Sequence, residues 1–142
     1  AKPKESAYEE LVLRFFAYYD WSEKFEHDVK EFLNDYMKSQ MNTTNNLDNY
    51  LKIFEKTFGL LSLLLEDGII RGNRKTITPV VLYEAISVGV ANYLKSNNGD
   101  EVNKIKINEL LDDVTLKSYT TGATNSQSKL KKRIEYVLDN LD

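Results

Sequence analysis

Arg14 is the residue whose position in the sequence most suggests a specific interaction. It lies in residues 8–21, the densest apolar and aromatic stretch of the chain, where a guanidinium must find partners or reach water. Glu10 precedes it by one helical turn, and Glu84 lies in another apolar stretch. We favour a buried ion pair between Arg14 and these carboxylates. Two alternatives stay open: an arginine that reaches solvent, and a contact with a separate domain or its ligand.

Two basic clusters contain the residue types that bind phosphate. Arg71, Arg74 and Lys75 flank Gly72 on a predicted loop, where glycine lets the backbone approach a ligand closely. The second cluster crowds the first turns of the last predicted helix, where the helix dipole disfavours positive charge. Its members are Lys129, Lys131, Lys132 and Arg133. We name both clusters as candidate contacts for nucleic acid or an acidic partner. For the second cluster, a solvated and charge-balanced helix face is the alternative.

Residue groups typical of enzymes are sparse in this chain. His27 is the only histidine, and it falls on the polar side of a predicted helix between Glu26 and Asp28. The chain has no cysteines, which excludes disulfides and thiol chemistry. Neither glycine-rich phosphate-binding motif occurs. Adjacent carboxylates at 66–67 and 112–113 diverge on a helix, so surface or helix-end roles are favoured. We therefore predict no catalytic, cofactor or metal residues.

Charge and hydropathy restrict the class of protein. The net charge is -3 and the pI about 5.3, which argues against a broad basic face. The longest apolar run, residues 59–65, is far shorter than the roughly 20 residues that cross a bilayer. We expect a cytoplasmic protein without membrane contact, and the oligomeric state stays open. Because the chain begins Ala1-Lys2-Pro3 without a methionine, we expect residues 1–142 to be a single helical domain cut from a larger protein.

Apolar residues recur at helical spacing along most of the chain. A first helix is predicted to begin near Ala7, after the capping-box pair Ser6 and Glu9. A second, capped by Ser22, carries the stripe 25–37 and forms an antiparallel pair with the first. The third begins at Leu47, and its second half is expected to be surrounded by protein. Gly68 is the expected C-cap of that helix.

The second half of the chain continues this pattern. Residues 69–77 form either a short hairpin or an irregular loop. A fourth helix has Pro79 at its first position and a small residue, Gly89, on its buried stripe. A weaker fifth helix covers 108–119 with Val114 inward, and the last begins near Ser126. We predict an all-α fold, an irregular bundle of five or six mostly antiparallel helices, with the first, third and fourth at its centre.

Two stretches resemble one bacterial protein family. Residues 10–17 and 32–37 resemble the helical region of the GmrSD-like, ParB/sulfiredoxin-type nucleotidase, restriction-associated family, and residues 120–134 are similar to its closing segment. Members of that family carry an Asp-Gly-Gln-Gln-Arg motif in a nucleotide-binding domain that precedes this region. The motif does not occur in this chain. The resemblance implies that the chain is the C-terminal helical part of such a protein.

The resemblance also carries expectations about function. It implies a non-catalytic accessory domain of a bacterial restriction or phage-defence protein, whose parent would be an NTP-dependent restriction enzyme. The implied partners are the N-terminal nucleotide-binding domain of the same parent chain and, weakly, DNA or another protein. One alternative is a free-standing helical interaction or regulatory domain without a restriction role. Another is a small enzyme that uses Arg14, Glu84 and tyrosines in a pocket.

Overall fold

The computed structural model describes residues 4–41, 47–71, 79–97 and 99–142. These residues form seven α-helices and no strand, which confirms the all-α class and corrects the expected number of helices from five or six to seven. None of the described helices is long and apolar enough to cross a membrane. The helices are α1 (Lys4–Trp21), α2 (Val29–Met41), α3 (Leu47–Leu64), α4 (Val80–Asn97), α5 (Lys104–Leu111), α6 (Val114–Thr120) and α7 (Gln127–Asp139), with a 3₁₀ turn at Ser22–Lys24.

α4 is the central helix of the fold. Residues 82–91 are all buried, so this stretch of the helix has no face toward solvent, and the helix packs against α1, α3 and α7. The last helix, α7, makes the most extensive contact with it, whereas α3 was expected to share the centre. Only Thr57 and Leu61 of α3 are fully buried. Leu63 is 74% exposed, so the prediction that the second half of this helix is surrounded by protein is wrong.

The close contact between α4 and α7 depends on Gly89. A Cβ atom at this position would lie 2.5 Å from Cγ1 and 2.6 Å from Cβ of Val137, far inside van der Waals contact. Only glycine leaves room for the neighbouring helix at this point. The expectation that a small residue in this helix permits close packing is therefore confirmed.

α1 and α3 are joined by a cluster of aromatic rings. Phe15 lies 5.0 Å from Phe58 and Phe16 lies 5.9 Å from Tyr50, measured between ring centroids. The later residue of α1 contacts the earlier residue of α3, which is the order expected of an antiparallel pair. Edge-on geometry adds to the apolar burial of these rings.

The contact between α1 and α2 has the opposite order. Tyr18 lies 5.1 Å from Phe32, and Trp21 lies 5.1 Å from Tyr36, so contacts advance in the same direction along both helices. These two contacts do not follow the order of the predicted antiparallel pair, and the link between the helices is residues 22–28 rather than a short turn through Asp20 and Trp21. That link buries Phe25, which lets the chain fold back beside α1.

Helix starts differ from prediction at several places. α1 already includes Lys4, three residues before the expected start. Ser22 begins the 3₁₀ turn, and the Asp28 carboxylate caps α2 by accepting from the Glu31 N–H at 3.0 Å. Pro79 lies just before α4, where its carbonyl accepts the Tyr83 N–H. The predicted start of α7 after Ser126 is confirmed, and α3 includes Leu47, the first residue described after 42–46.

The predicted fifth helix is two helices. The Asp113 carboxylate accepts the Leu116 N–H at 2.9 Å and starts α6, so the chain breaks where an uninterrupted helix was expected. Val114 is 83% exposed, although it was predicted to point inward. Gly68 follows α3 with a φ of +84°, a conformation that glycine adopts without strain. The choice between hairpin and loop at 69–77 lies largely outside the described residues.

Candidate functional site

A buried group of charges links three helices. Arg14 Nη1 lies 2.5 Å from Glu84 Oε2, which joins α1 to α4. Arg133 Nη2, on α7, lies 3.6 Å from Glu84 Oε1. The Glu10 carboxylate lies 3.9 Å from Arg14 Nη2. The pairing of Arg14 with Glu84 is the ion pair favoured from the sequence, and the structure adds a second arginine that the sequence did not suggest.

Glu84 and Arg133 form the part of this charge cluster that the core encloses, whereas Arg14 and Glu10 are partly exposed. Glu84 and Arg133 are each 1% exposed. Burial raises the pKa of Glu84, and Arg14 and then Arg133 oppose that shift by stabilising the carboxylate. Burial also lowers the pKa of Arg133, which donates through Nη1 to the Thr124 carbonyl at 2.9 Å. A carboxylate so enclosed contacts no substrate in this conformation, and the cluster fixes α1, α4 and α7 against one another.

Two buried tyrosines lie beside the cluster. Tyr83 donates its hydroxyl to the Leu11 carbonyl at 2.6 Å. The Tyr18 hydroxyl has no hydrogen-bond partner among the described residues. Burial is the main cause that raises the pKa of both tyrosines, and the nearby Glu84 carboxylate adds to it. Both hydroxyls therefore stay protonated well above neutral pH.

The predicted basic cluster on α7 does not form one surface. The prediction that Arg133 contacts nucleic acid is wrong, because its guanidinium lies inside the core. Lys129 Nζ lies 3.4 Å from the Ser118 carbonyl and 5.8 Å from the Tyr119 ring. Lys131 approaches Glu135 at 4.0 Å, and Lys132 is exposed. Successive helical residues point about 100° apart, so charges that are adjacent in sequence diverge in space.

Arg71, from the other predicted cluster, also binds within the protein. Its Nε donates to the Leu111 carbonyl at 3.1 Å, and its Nη2 donates to Thr120 Oγ1 at 3.0 Å. Burial lowers its pKa. Arg71 therefore ties the segment after α3 to α5 and α6. The other two members of that cluster, Arg74 and Lys75, lie outside the described residues.

The structure instead assembles lysines from three helices along two adjoining grooves. One groove, of about 590 Å³, lies between α1, α3 and α4, and the other, of about 640 Å³, lies between the 3₁₀ turn, α4 and α7. Lys95 lines both, so we call them together the double groove. Its lysines are Lys52, Lys56, Lys95 and Lys131, and the first groove also contains Tyr19, Asp20 and Tyr50.

The polar groups of the double groove have exposed partners. Tyr50 donates to Asp20 Oδ2 at 2.9 Å, and burial followed by this hydrogen bond raises the pKa of Tyr50 to about 12. Lys56 Nζ lies 2.7 Å from the exposed Asp100 carboxylate, and Lys95 Nζ lies 5.9 Å from the Tyr19 ring centroid. Exposed ion pairs are weak, so these lysines remain available to an anionic ligand. The sequence analysis missed this set, whose only local signal is the i,i+4 spacing of two lysines on α3.

Large apolar side chains are exposed where α2 ends and α3 begins. Met37, Met41, Leu47 and Leu51 are between 45% and 78% exposed. Each helix contributes a pair at i,i+4, and such a pair shares one helix face. On α3, Tyr50 lies between Leu47 and Leu51 in sequence and donates its hydroxyl to Asp20 Oδ2 of α1 at 2.9 Å.

The chain matches no family model, no curated protein and no solved structure. The described residues contain no group of three or more His, Cys, Asp or Glu side chains that could hold a metal ion. The buried charge cluster, the double groove and the exposed apolar side chains are the features from which function is inferred.

Proposed function

We propose that the chain is a non-catalytic helical accessory domain of a bacterial restriction or phage-defence protein. It docks on the nucleotide-binding domain of the same parent chain and contacts DNA or a partner protein. The observation that carries this proposal is the set of exposed apolar side chains on α2 and α3, namely Met37, Met41, Leu47 and Leu51. Large apolar side chains left exposed at two or more positions of one helix face are common at interaction surfaces, because folded proteins otherwise bury most such residues.

Two further features support an accessory role. The most deeply buried charges, Glu84 and Arg133, are paired with each other inside the core. These ionisable groups therefore have a structural role. The resemblance of residues 10–17 and 32–37 to the GmrSD-like family supports a nucleotide-dependent restriction enzyme as the parent. In this proposal the NTP binds to the preceding domain, this domain holds no cofactor, and the whole protein works in the cytoplasm.

The first experiment is to sequence the gene upstream of the codon for Ala1 and to search it for Asp-Gly-Gln-Gln-Arg in a strand-rich context. The encoded upstream domain is then expressed separately, and its affinity for this chain is measured by calorimetry. We expect binding that the double variant Met41→Ser with Leu47→Ser weakens by at least about tenfold, because both side chains lose apolar contact area.

The matched control is Leu63→Ser with Ile105→Ser, which removes two equally exposed apolar side chains elsewhere on the surface. This control should leave the affinity within about twofold of wild type. An upstream domain that does not bind the wild-type chain, or equal losses in the two double variants, would contradict the docking proposal.

The alternative function is a free-standing helical interaction or regulatory domain. The same apolar side chains favour it, because they would serve a separate partner protein equally well. The two candidates differ in the upstream sequence. Absence of a nucleotide-binding domain before Ala1 would leave this second candidate as the function of the chain.

A further inference from the structure

The double groove combines two features of proteins that bind single-stranded nucleic acid. Lys52 and Lys56 lie one turn apart on α3, and Lys95 near the end of α4 lines the same groove. Lys131 extends the lysines into the second groove. The two grooves thus hold four ammonium groups, the side-chain type that contacts the phosphates of a nucleic-acid strand.

Aromatic rings line the first of these grooves. Tyr19 stacks on Phe15 with nearly parallel planes, 5.9 Å between centroids, so the ring is held rigidly at the groove. Tyr50 is fixed by its hydrogen bond to Asp20 and by its edge contact with Phe16. Single-strand binding surfaces interleave basic side chains with aromatic rings, because unpaired bases stack on the rings while lysines contact the phosphates. Paired bases in a duplex do not expose their faces in this way.

The carboxylates of the double groove do not prevent this use. Asp20 accepts the Tyr50 hydroxyl, Glu135 is paired with Lys131, and Asp100 is paired with Lys56. The Glu23 carboxylate also lines the second groove. Exposed ion pairs exchange readily with solvent ions, so a phosphate replaces a carboxylate beside the same lysine. We infer that the double groove binds single-stranded nucleic acid through its phosphates and bases. This inference deepens the DNA-contacting part of the proposed function and rests on it.

Fluorescence anisotropy of the full chain with a labelled oligothymidine of about 15 nucleotides tests the inference. Affinity is measured between about 50 and 200 mM salt for wild type and for the triple variant Lys52→Gln, Lys56→Gln, Lys95→Gln. We expect the variant to bind at least about tenfold more weakly at low salt. Its slope of log affinity against log salt should be smaller by about 2, since each phosphate contact to a single strand contributes roughly 0.7.

The matched control is the triple variant Lys30→Gln, Lys38→Gln, Lys106→Gln, at three exposed lysines outside the double groove. It changes the net charge by the same amount and should keep the wild-type salt slope. Equal weakening in both triple variants would show general electrostatic attraction and overturn the inference. Absence of binding at about 50 mM salt, or a duplex of the same sequence that binds at least as tightly, would overturn it too.

The role of the rings is tested separately at Tyr50. Tyr50→Phe keeps the ring and should bind within about twofold of wild type, whereas Tyr50→Leu should lose about tenfold without a change in salt slope. Equal affinities of these two variants would exclude stacking on this ring. Docking of the upstream domain, measured with the lysine variants, should be unchanged. Failure of the double groove is thereby distinguished from failure of the proposed function.

Discussion

At the scale of single residues, Glu84 shows how a charge is retained in an apolar core. The carboxylate lies on the most buried helix, and Arg14 and Arg133 approach it from two other helices. Desolvation of each charge is costly, and mutual attraction offsets that cost only while the partners remain together. Loss of Glu84 therefore leaves Arg133 buried without its carboxylate, whereas Arg14 can still reach Glu10 and solvent.

We predict that Glu84→Ala lowers the free energy of unfolding by about 3–5 kcal/mol, the usual cost of breaking a buried pair from one side. Urea denaturation followed by circular dichroism measures it. The double variant Glu84→Met with Arg133→Met should recover a large part of the loss, because it replaces both charges with apolar volume. Glu9→Ala, at an exposed position of α1, is the control. A loss at Glu84 no larger than at Glu9 would show that the cluster does not stabilise the fold.

At the scale of helices, the spacing between α4 and α7 is set by one missing side chain. Gly89 faces Val137 so closely that an added methyl group would overlap it. Gly59, in the second half of α3, has nothing within 4 Å of the same added atom. Alanine favours a helix more than glycine does. The two positions therefore respond to the same substitution with opposite signs.

We predict that Gly89→Ala lowers the free energy of unfolding by about 1–3 kcal/mol through overpacking. Gly59→Ala should raise it by about 0.5–1 kcal/mol through reduced backbone entropy of the unfolded chain. Thermal and urea denaturation of the two variants provide the comparison. Val137→Ala combined with Gly89→Ala should restore part of the loss by making room. If Gly89→Ala were as stabilising as Gly59→Ala, the two helices would not pack as closely as described.

The break between α5 and α6 depends on a local interaction, the N-cap formed by the Asp113 carboxylate. It accepts the Leu116 N–H at one oxygen and the Tyr136 hydroxyl at the other. We predict that Asp113→Ala costs about 1 kcal/mol, as for loss of an N-cap, and that Asp113→Asn costs much less because its amide oxygen still accepts a hydrogen bond. Equal stabilities of the two variants in urea denaturation would argue against the cap.

At the scale of the whole molecule, buried tyrosines couple stability to alkaline pH. The pKa values of Tyr18 and Tyr83 are raised above the ordinary value of about 10 by burial and then by Glu84. Above that pH the unfolded chain releases protons that the folded chain retains. Their contribution to stability is therefore complete below about pH 10 and is lost as the pH rises toward the folded values.

We predict that the free energy of unfolding falls steeply above about pH 10, by up to roughly 1.4 kcal/mol per pH unit for each such tyrosine. Tyr18→Phe and Tyr83→Phe should each reduce the slope of the free energy of unfolding against pH by the contribution of one tyrosine, up to roughly 1.4 kcal/mol per pH unit. At neutral pH the two variants should differ. Tyr83→Phe loses its hydrogen bond to the Leu11 carbonyl at a cost of about 1 kcal/mol, while Tyr18→Phe removes a hydroxyl to which the described residues offer no hydrogen bond. Urea denaturation at several pH values measures both effects. An unchanged alkaline fall in both variants would contradict the assignment.

Much of the helix content was predictable because its determinants are local. Apolar residues at helical spacing correctly indicated α3 from Leu47 onward, and the hydroxyl of Ser126 correctly marked the start of α7. Arg14 was also informative by itself, since a guanidinium in an apolar stripe requires a carboxylate, and Glu84 is in place. The split at Asp113 was harder to foresee, because a carboxylate inside a helical pattern can either face solvent or cap a new helix.

The amino-acid sequence by itself determined the all-α class, most of the helix segments and the need for a partner at Arg14, because periodicity and desolvation act within a few residues. Only the tertiary structure decided that α7 rather than α3 packs most extensively on α4, that Arg133 is in the core, and that lysines 52, 56, 95 and 131 line two grooves that share Lys95. A hydrophobic stripe indicates that one face of a helix is buried, but it does not indicate which other helix covers that face. Charges distant in sequence meet only after those choices are made.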